Sequence, residues 1–124
     1  MNKKVNIMSY LYHNPKCSKS RAAVQFLTEE NIEFETILYL ETGLSESEIR
    51  NLLKYLNLEP VDIIRTGEGI WKTEYQGKVL SNTAVIEALI RRPELLERPI
   101  YVKNEQAVIA RPLEKLQEFI ESSH

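Results

Sequence analysis

Residues 7–40 place the tightest constraint on what this chain can fold into. Ile7 to Tyr12 reads as a strand, with polarity too mixed for one half-exposed to water, which suits a central place in a sheet. Pro15 then breaks regular structure. A helix from about Ser18 to Glu30 carries Ala22, Ala23, Phe26 and Leu27 on one face. Phe34 to Leu40 alternates as a second strand. Strand, helix and strand in this order form a βαβ unit, which implies a parallel strand pair joined by a right-handed crossover.

The next segment reads as helical. Ser45 and Glu48 form an S-x-x-E capping box, with Leu44 and Ile49 in the hydrophobic-staple positions. The helix they open carries Ile49, Leu52, Leu53 and Leu56 inward and ends near Asn57, before Pro60. Val61, Ile63 and Ile64 suggest a short helix ending around Arg65. Gly67 and Gly69 mark one loop and Gln76-Gly77-Lys78 another. Ser81 caps a helix to about Arg91, with Val85, Ala88 and Leu89 inward, and Pro93 ends it. Ile100 to Lys103 and Ala107 to Ala110 are short β-prone runs separated by Asn104-Glu105-Gln106, a hairpin pattern. Pro112 suits the first turn of a last helix bearing Leu113, Leu116 and Ile120.

These elements predict one α/β domain over residues 1–124, with a helical insertion at about 44–92 after the first βαβ unit. Without the insertion, a βαβ followed by a ββα is the thioredoxin-type order: a four-stranded mixed sheet with flanking helices. A chain of 124 residues suits a single core. Net charge of −2 provides no global basic field for nucleic acid. No apolar run approaches the ~20 residues of a membrane span, and no signal-peptide core follows Met1-Asn2-Lys3-Lys4. Neither a nucleic-acid nor a membrane partner is expected. One cysteine and two histidines are too few for a structural zinc site, so no metal is expected. A lone cysteine also excludes an intramolecular disulfide and fits a reducing cytoplasm.

That cysteine, Cys17, lies in Tyr12-His13-Asn14-Pro15-Lys16-Cys17-Ser18-Lys19-Ser20-Arg21, between the first strand and the first helix. A buried, inert thiol would prefer apolar neighbours. Here Lys16, Lys19 and Arg21 surround it, and the N–H groups of the following turn would point at its sulfur. A helix N-terminus and nearby cations both favour the thiolate, the nucleophilic form. His13 either stabilises that thiolate or packs the loop, while Asn14 suits a turn.

Three arginines stand at element ends: Arg65 after the short helix, Arg98 before Ile100, and Arg111 after Ala110. If the two C-terminal strands join the sheet beside the first, strand ends gather near Cys17. The guanidinium fork donates paired hydrogen bonds to a tetrahedral oxyanion and stays charged. A thiol at a helix N-terminus facing arginines is an anion-binding nucleophile site. Pro99, opening a strand, stands where a cis bond would shape such a site.

The run Tyr12-His13-Asn14-Pro15-x-Cys17-x-x-Ser20-Arg21 resembles the arsenate reductase family of thioredoxin-like fold, in its short related branch. So do Leu38-Tyr39-Leu40-Glu41, Ile64-Arg65, Glu97-Arg98-Pro99-Ile100 and Ala110-Arg111-Pro112. The resemblance implies a catalytic nucleophile at Cys17 and a thiolate-stabilising His13. It implies a substrate-binding trio of Arg65, Arg98 and Arg111, with a cis Arg98-Pro99 bond, and Asn14 and Pro99 as structural residues of the site. It implies a small oxyanion substrate, arsenate, reduced through a Cys17–arsenate adduct. No bound cofactor is implied; glutathione serves as co-substrate and glutaredoxin as partner, and a chain without a second thiol must borrow its electrons from outside. Two other readings remain. Spx-type regulators share the fold and bind RNA polymerase, but typically carry Cys-x-x-Cys, where this chain has Ser20. A glutaredoxin-like enzyme would act on glutathione mixed disulfides, with the arginines binding carboxylates.

Overall fold

A computed structural model of the chain describes residues 9–122. In chain order the elements are β1 (Ser9–Tyr12), α1 (Ser18–Glu29), β2 (Glu35–Ile37), α2 (Tyr39–Thr42), α3 (Glu46–Leu56), α4 (Gly69–Glu74), α5 (Asn82–Arg91), β3 (Ile100–Lys103), β4 (Gln106–Ile109) and α6 (Leu113–Ser122). Single 3-10 turns lie at Pro60–Ile63 and Pro93–Leu95. Ile7 and Met8, expected to open the first strand, lie outside the described residues.

The chain forms two compact units, one running to Leu38 and resuming at Arg98, the other spanning Tyr39–Glu97. In the first, four strands stand in the order β2-β1-β3-β4. β1 is central, parallel to β2 and antiparallel to β3, and β3 is antiparallel to β4. This is the mixed sheet of the thioredoxin-like fold, a βαβ followed by a ββα. Its core gathers Leu11 of β1, Ala23 and Leu27 of α1, Tyr101 of β3, Ala110, and Leu116 of α6. Strand side chains alternate between faces, so Leu11 and Tyr101 share the face that α1 and α6 cover. Burying a leucine fully contributes about 1.5–3 kcal/mol, so Leu27 and Leu116 alone go far toward fixing both helices. Two polar groups enter this core with partners: Tyr101 donates its hydroxyl proton to Ser9 Oγ (3.0 Å), and Ser9 donates to the Glu33 carbonyl (3.0 Å).

The second strand ends sooner than its alternation suggests. β1 pairs with only Glu35–Ile37, and Tyr39 instead opens the short helix α2. The Gly43 N–H closes that turn on the Tyr39 carbonyl (2.9 Å), with Gly43 at φ +75°. Tyr39 is fully buried and Leu40 exposed, an in-and-out pattern that a helical turn produces as readily as a strand. The second unit therefore begins before, and ends after, the 44–92 insertion read from sequence.

Within that unit the α3 terminus is built as its sequence predicts. Ser45 Oγ accepts from the Glu48 N–H (3.1 Å) and Glu48 accepts from the Ser45 N–H (3.0 Å), with Leu44 and Ile49 buried. Asn57 closes the helix in the left-handed conformation, φ 59°. Ser81 caps α5 by accepting from the Ala84 N–H (3.1 Å). The loop expected around Gly67 and Gly69 is half helix: Gly69 opens α4, whose Trp71 is buried and stacks at 5.2 Å on the buried Tyr75 that caps the helix. Two aromatic anchors offset the low helix propensity of one glycine. The β3–β4 hairpin is one residue tighter than expected. Lys103 pairs with Gln106 across Asn104 and Glu105, both at positive φ (54° and 63°), as a two-residue type I′ turn requires. Among the described residues no helix is long and apolar enough to cross a membrane.

Candidate active site

β1 ends at Tyr12, and five intervening residues lead to the start of α1 at Ser18. The His13 N–H extends the β1–β2 ladder by donating to the Ile37 carbonyl (3.0 Å). Asn14 then turns the chain: its side-chain oxygen accepts from the Lys16 N–H and its carbonyl from the Cys17 N–H, both at 3.0 Å. Asn14 is thus the turn residue its type suggests. Cys17 follows as the N-cap of α1, in extended conformation.

As a thiol, Cys17 makes no strict capping hydrogen bond with its side chain. Partial burial pulls its pKa up, but the Ser20 and Lys19 N–H groups, together with the charge and hydrogen bonding of Arg98, outweigh burial and hold the thiol below its ordinary value. The expected helix-terminus effect is present. The expected cations are not the ones that lower the thiol: Lys16 and Lys19 are exposed, and the charge that lowers it is that of Arg98. Arg21 turns its guanidinium onto the Pro15 carbonyl (2.9 Å). The working cation comes from the far end of the unit.

Strand register explains how it arrives. Tyr12 pairs with Ile100, so the two residues before Ile100 lie opposite the loop that leaves β1. Ile100 pairs with Ile109, and continuing that register sets Arg98 across from Arg111. Accordingly the Ala110 N–H donates to the Pro99 carbonyl (2.8 Å), and Arg111 Nη1 donates to the Arg98 carbonyl (3.2 Å). Pro99 is buried, and the Arg98–Pro99 bond is cis. The Arg111–Pro112 bond is also cis, for which the sequence offers no signal. Arg98 Nε is buried and has no hydrogen-bond partner among the described residues, although the same side chain serves Cys17. A buried N–H on a permanent cation is an expensive donor to leave idle, and it suits an anion at the thiol.

His13 is half-buried, and its Nδ1 has no partner among the described residues. Burial first, and the Arg21 charge second, push its pKa below the usual value, so the ring is neutral at pH 7. His13 is not among the groups that lower the Cys17 thiol. Arg65 belongs to the second unit. Its N–H donates to the Leu95 carbonyl (2.7 Å), and its guanidinium is held by Glu68 three residues on. The first unit therefore brings together Cys17, His13, Asn14, Arg98, Pro99 and Arg111.

Two residues in the first turns of α1 hold this loop in ways that residue type alone does not show. Ser20 is fully buried, and its Oγ accepts from the Asn14 N–H (3.1 Å). Arg21 grips the neighbouring Pro15. The signal was available: both belong to the Cys17-x-x-Ser20-Arg21 run, and a serine on the inward side of a helix needs a hydrogen-bonding reason.

Residues 12–119 match the model of the ArsC family. The chain belongs to the ArsC family. An arsenate reductase of Neisseria meningitidis (strain MC58) is 37% identical over 109 residues, 86% of this chain and 93% of that protein. The uncharacterized protein YfgD of Escherichia coli is 40% identical over 112 residues, 89% of this chain and 94% of its own. Among solved structures, an arsenate reductase from Vibrio cholerae superposes with a TM-score of 0.85 at 40% identity, covering 89% of this chain and 95% of that one. The match to the family model takes in Cys17, Arg98 and Arg111 alike.

Proposed function

We propose that this ArsC-family chain is a thiol-dependent arsenate reductase that draws its electrons from glutathione and glutaredoxin in the cytoplasm. The observation that carries the reading is the pairing of Cys17 with Arg98: a sulfur held toward thiolate by two N–H groups and a guanidinium whose buried Nε–H is still free to donate. The arsenate reductases among its relatives and structural neighbours supply the substrate.

The Cys17 thiolate attacks arsenic, an S–As bond forms, and one arsenate oxygen takes up protons and leaves as water. Arg98 and Arg111 offset the charge on the remaining oxygens, where planar forks match a tetrahedral anion. His13, neutral at pH 7, contributes a ring hydrogen bond rather than a charge. Two external thiols then give up two electrons and two protons, ending as a mixed disulfide, while As(V) becomes As(III) and a second arsenic oxygen leaves as water. Hydrolysis of the remaining S–As bond releases arsenite and restores the Cys17 thiol. With one cysteine in the chain, no resolving thiol is available within it. Lys16 and Lys19 flank the sulfur, exposed and without an ion pair among the described residues, and so favour an anionic reductant such as glutathione.

The test is a coupled assay in which purified protein, glutathione, glutaredoxin and glutathione reductase consume NADPH. Arsenate-dependent consumption that disappears in Cys17→Ser supports the proposal. Consumption no higher with arsenate than without it defeats the proposal.

A further inference from the structure

Ser20 sits at the third position of α1, on its inward side, with no exposed surface. A serine there costs helix propensity, and a buried hydroxyl costs more unless it is bonded. Its bond leads out of the helix: Ser20 Oγ accepts from the N–H of Asn14, six residues back, at 3.1 Å. In α3 the residue at the equivalent position, Glu48, reaches back to the N–H of the N-cap itself. In α1 that duty is already discharged, because the Cys17 N–H is held by the Asn14 carbonyl at 3.0 Å. The side chain at the third position therefore reaches past the cap and grips the far end of the loop.

The outcome is a closed ring of bonds around Cys17. Asn14 receives the Cys17 N–H through its carbonyl and the Lys16 N–H through its side chain, and gives its own N–H to Ser20. The Arg21 N–H returns to the Cys17 carbonyl at 3.0 Å, and its guanidinium holds Pro15 at 2.9 Å. Ser20 is the member of this ring whose backbone also faces the sulfur. Removing its hydroxyl leaves the Asn14 N–H without its acceptor and frees the loop to shift relative to the first turn of α1.

We propose that Ser20 is a positioning residue for the Cys17 nucleophile: its buried hydroxyl ties Asn14 to α1 and so fixes the sulfur over the N–H groups of that helix's first turn. The role depends on Cys17 acting as a nucleophile but not on arsenate being the substrate, and the test keeps the two apart.

The experiment is the pH dependence of Cys17 alkylation by iodoacetamide in the full chain, comparing wild type, Ser20→Ala and Ser20→Thr. Ser20→Ala should move the midpoint up by about half a unit to one unit, the worth of one hydrogen bond. Ser20→Thr keeps the hydroxyl and should restore most of the wild-type midpoint. A merely structural serine would lower the melting temperature of Ser20→Ala and leave the midpoint where it was, and that result overturns the proposal. Should Ser20→Ala fail to fold, amide exchange in the wild type decides. An Asn14 N–H protected as strongly as those inside α1 supports the tie, and one exchanging at the rate of an open loop contradicts it. Because alkylation needs no arsenate, a chain inactive on arsenate can still pass or fail this test.

Discussion

Helices α1 and α3 begin in opposite ways. At α3, Ser45 and Glu48 satisfy each other's N–H groups, and two acidic residues, Glu46 and Glu48, lie in the first turn. At α1 the cap is a cysteine whose side chain makes no strict capping bond, and the first turn has no acidic residue. The α3 terminus spends its exposed N–H groups and dipole on its own stability. The α1 terminus leaves both facing a sulfur, joined by Arg98. The capped and acidic start of α3 is structural, whereas α1, where those devices are withheld, presents its first turn to the one cysteine.

The sharpest way to separate the two termini is Cys17→Ser. Serine is the better N-cap, so the melting temperature should hold or rise while arsenate turnover falls to the background of the coupled assay. Loss of fold with loss of activity would mean that α1 begins as α3 does, for stability. Next in size, Arg98→Ala should reduce kcat/KM for arsenate by about 10²–10³, the range for removing one preorganised donor, and raise the midpoint of Cys17 alkylation. Arg98→Lys keeps the charge but loses the fork, so it should recover the thiol midpoint better than the turnover.

A smaller effect concerns pH. Folding lowers the Cys17 pKa, so the thiolate adds stability that is fully present above the unfolded thiol value of about 8.5 and is lost as pH falls through the native value. Urea unfolding of wild type against Cys17→Ser should accordingly show the wild type gaining between mildly acidic and alkaline pH, with no such gain if folding leaves the thiol unshifted. The smallest change belongs to α3. Ser45→Ala should cost about 1 kcal/mol of stability in urea and leave Cys17 alkylation untouched. An altered midpoint there would break the contrast.

How much of this could be read from residue types follows from the range of each interaction. The α3 capping box, the Ser81 cap and the Cys17 loop are local patterns, and each stands where its spacing puts it. Alternation alone extends β2 to Leu40, because Tyr39-Leu40 alternates equally well as a turn of helix. Gly69 hid α4, since the anchors of that helix, Trp71 and Tyr75, act by burial rather than propensity. In the site, Cys17, Arg98 and Arg111 were legible as residues. Which cation serves the thiol was not, because sequence proximity favoured Lys16 and Lys19 whereas strand register delivers Arg98. The Glu68 partner of Arg65 is a side-chain choice that spacing alone does not dictate.

The chemistry of the site depends on Cys17 being held toward thiolate by the folded chain. Its most direct test is the ultraviolet thiolate absorbance of the wild type as a function of pH, native and in urea, with Cys17→Ser as baseline. The native thiol should titrate below the unfolded one. Coincident titrations, or a native thiol that titrates higher, would contradict it.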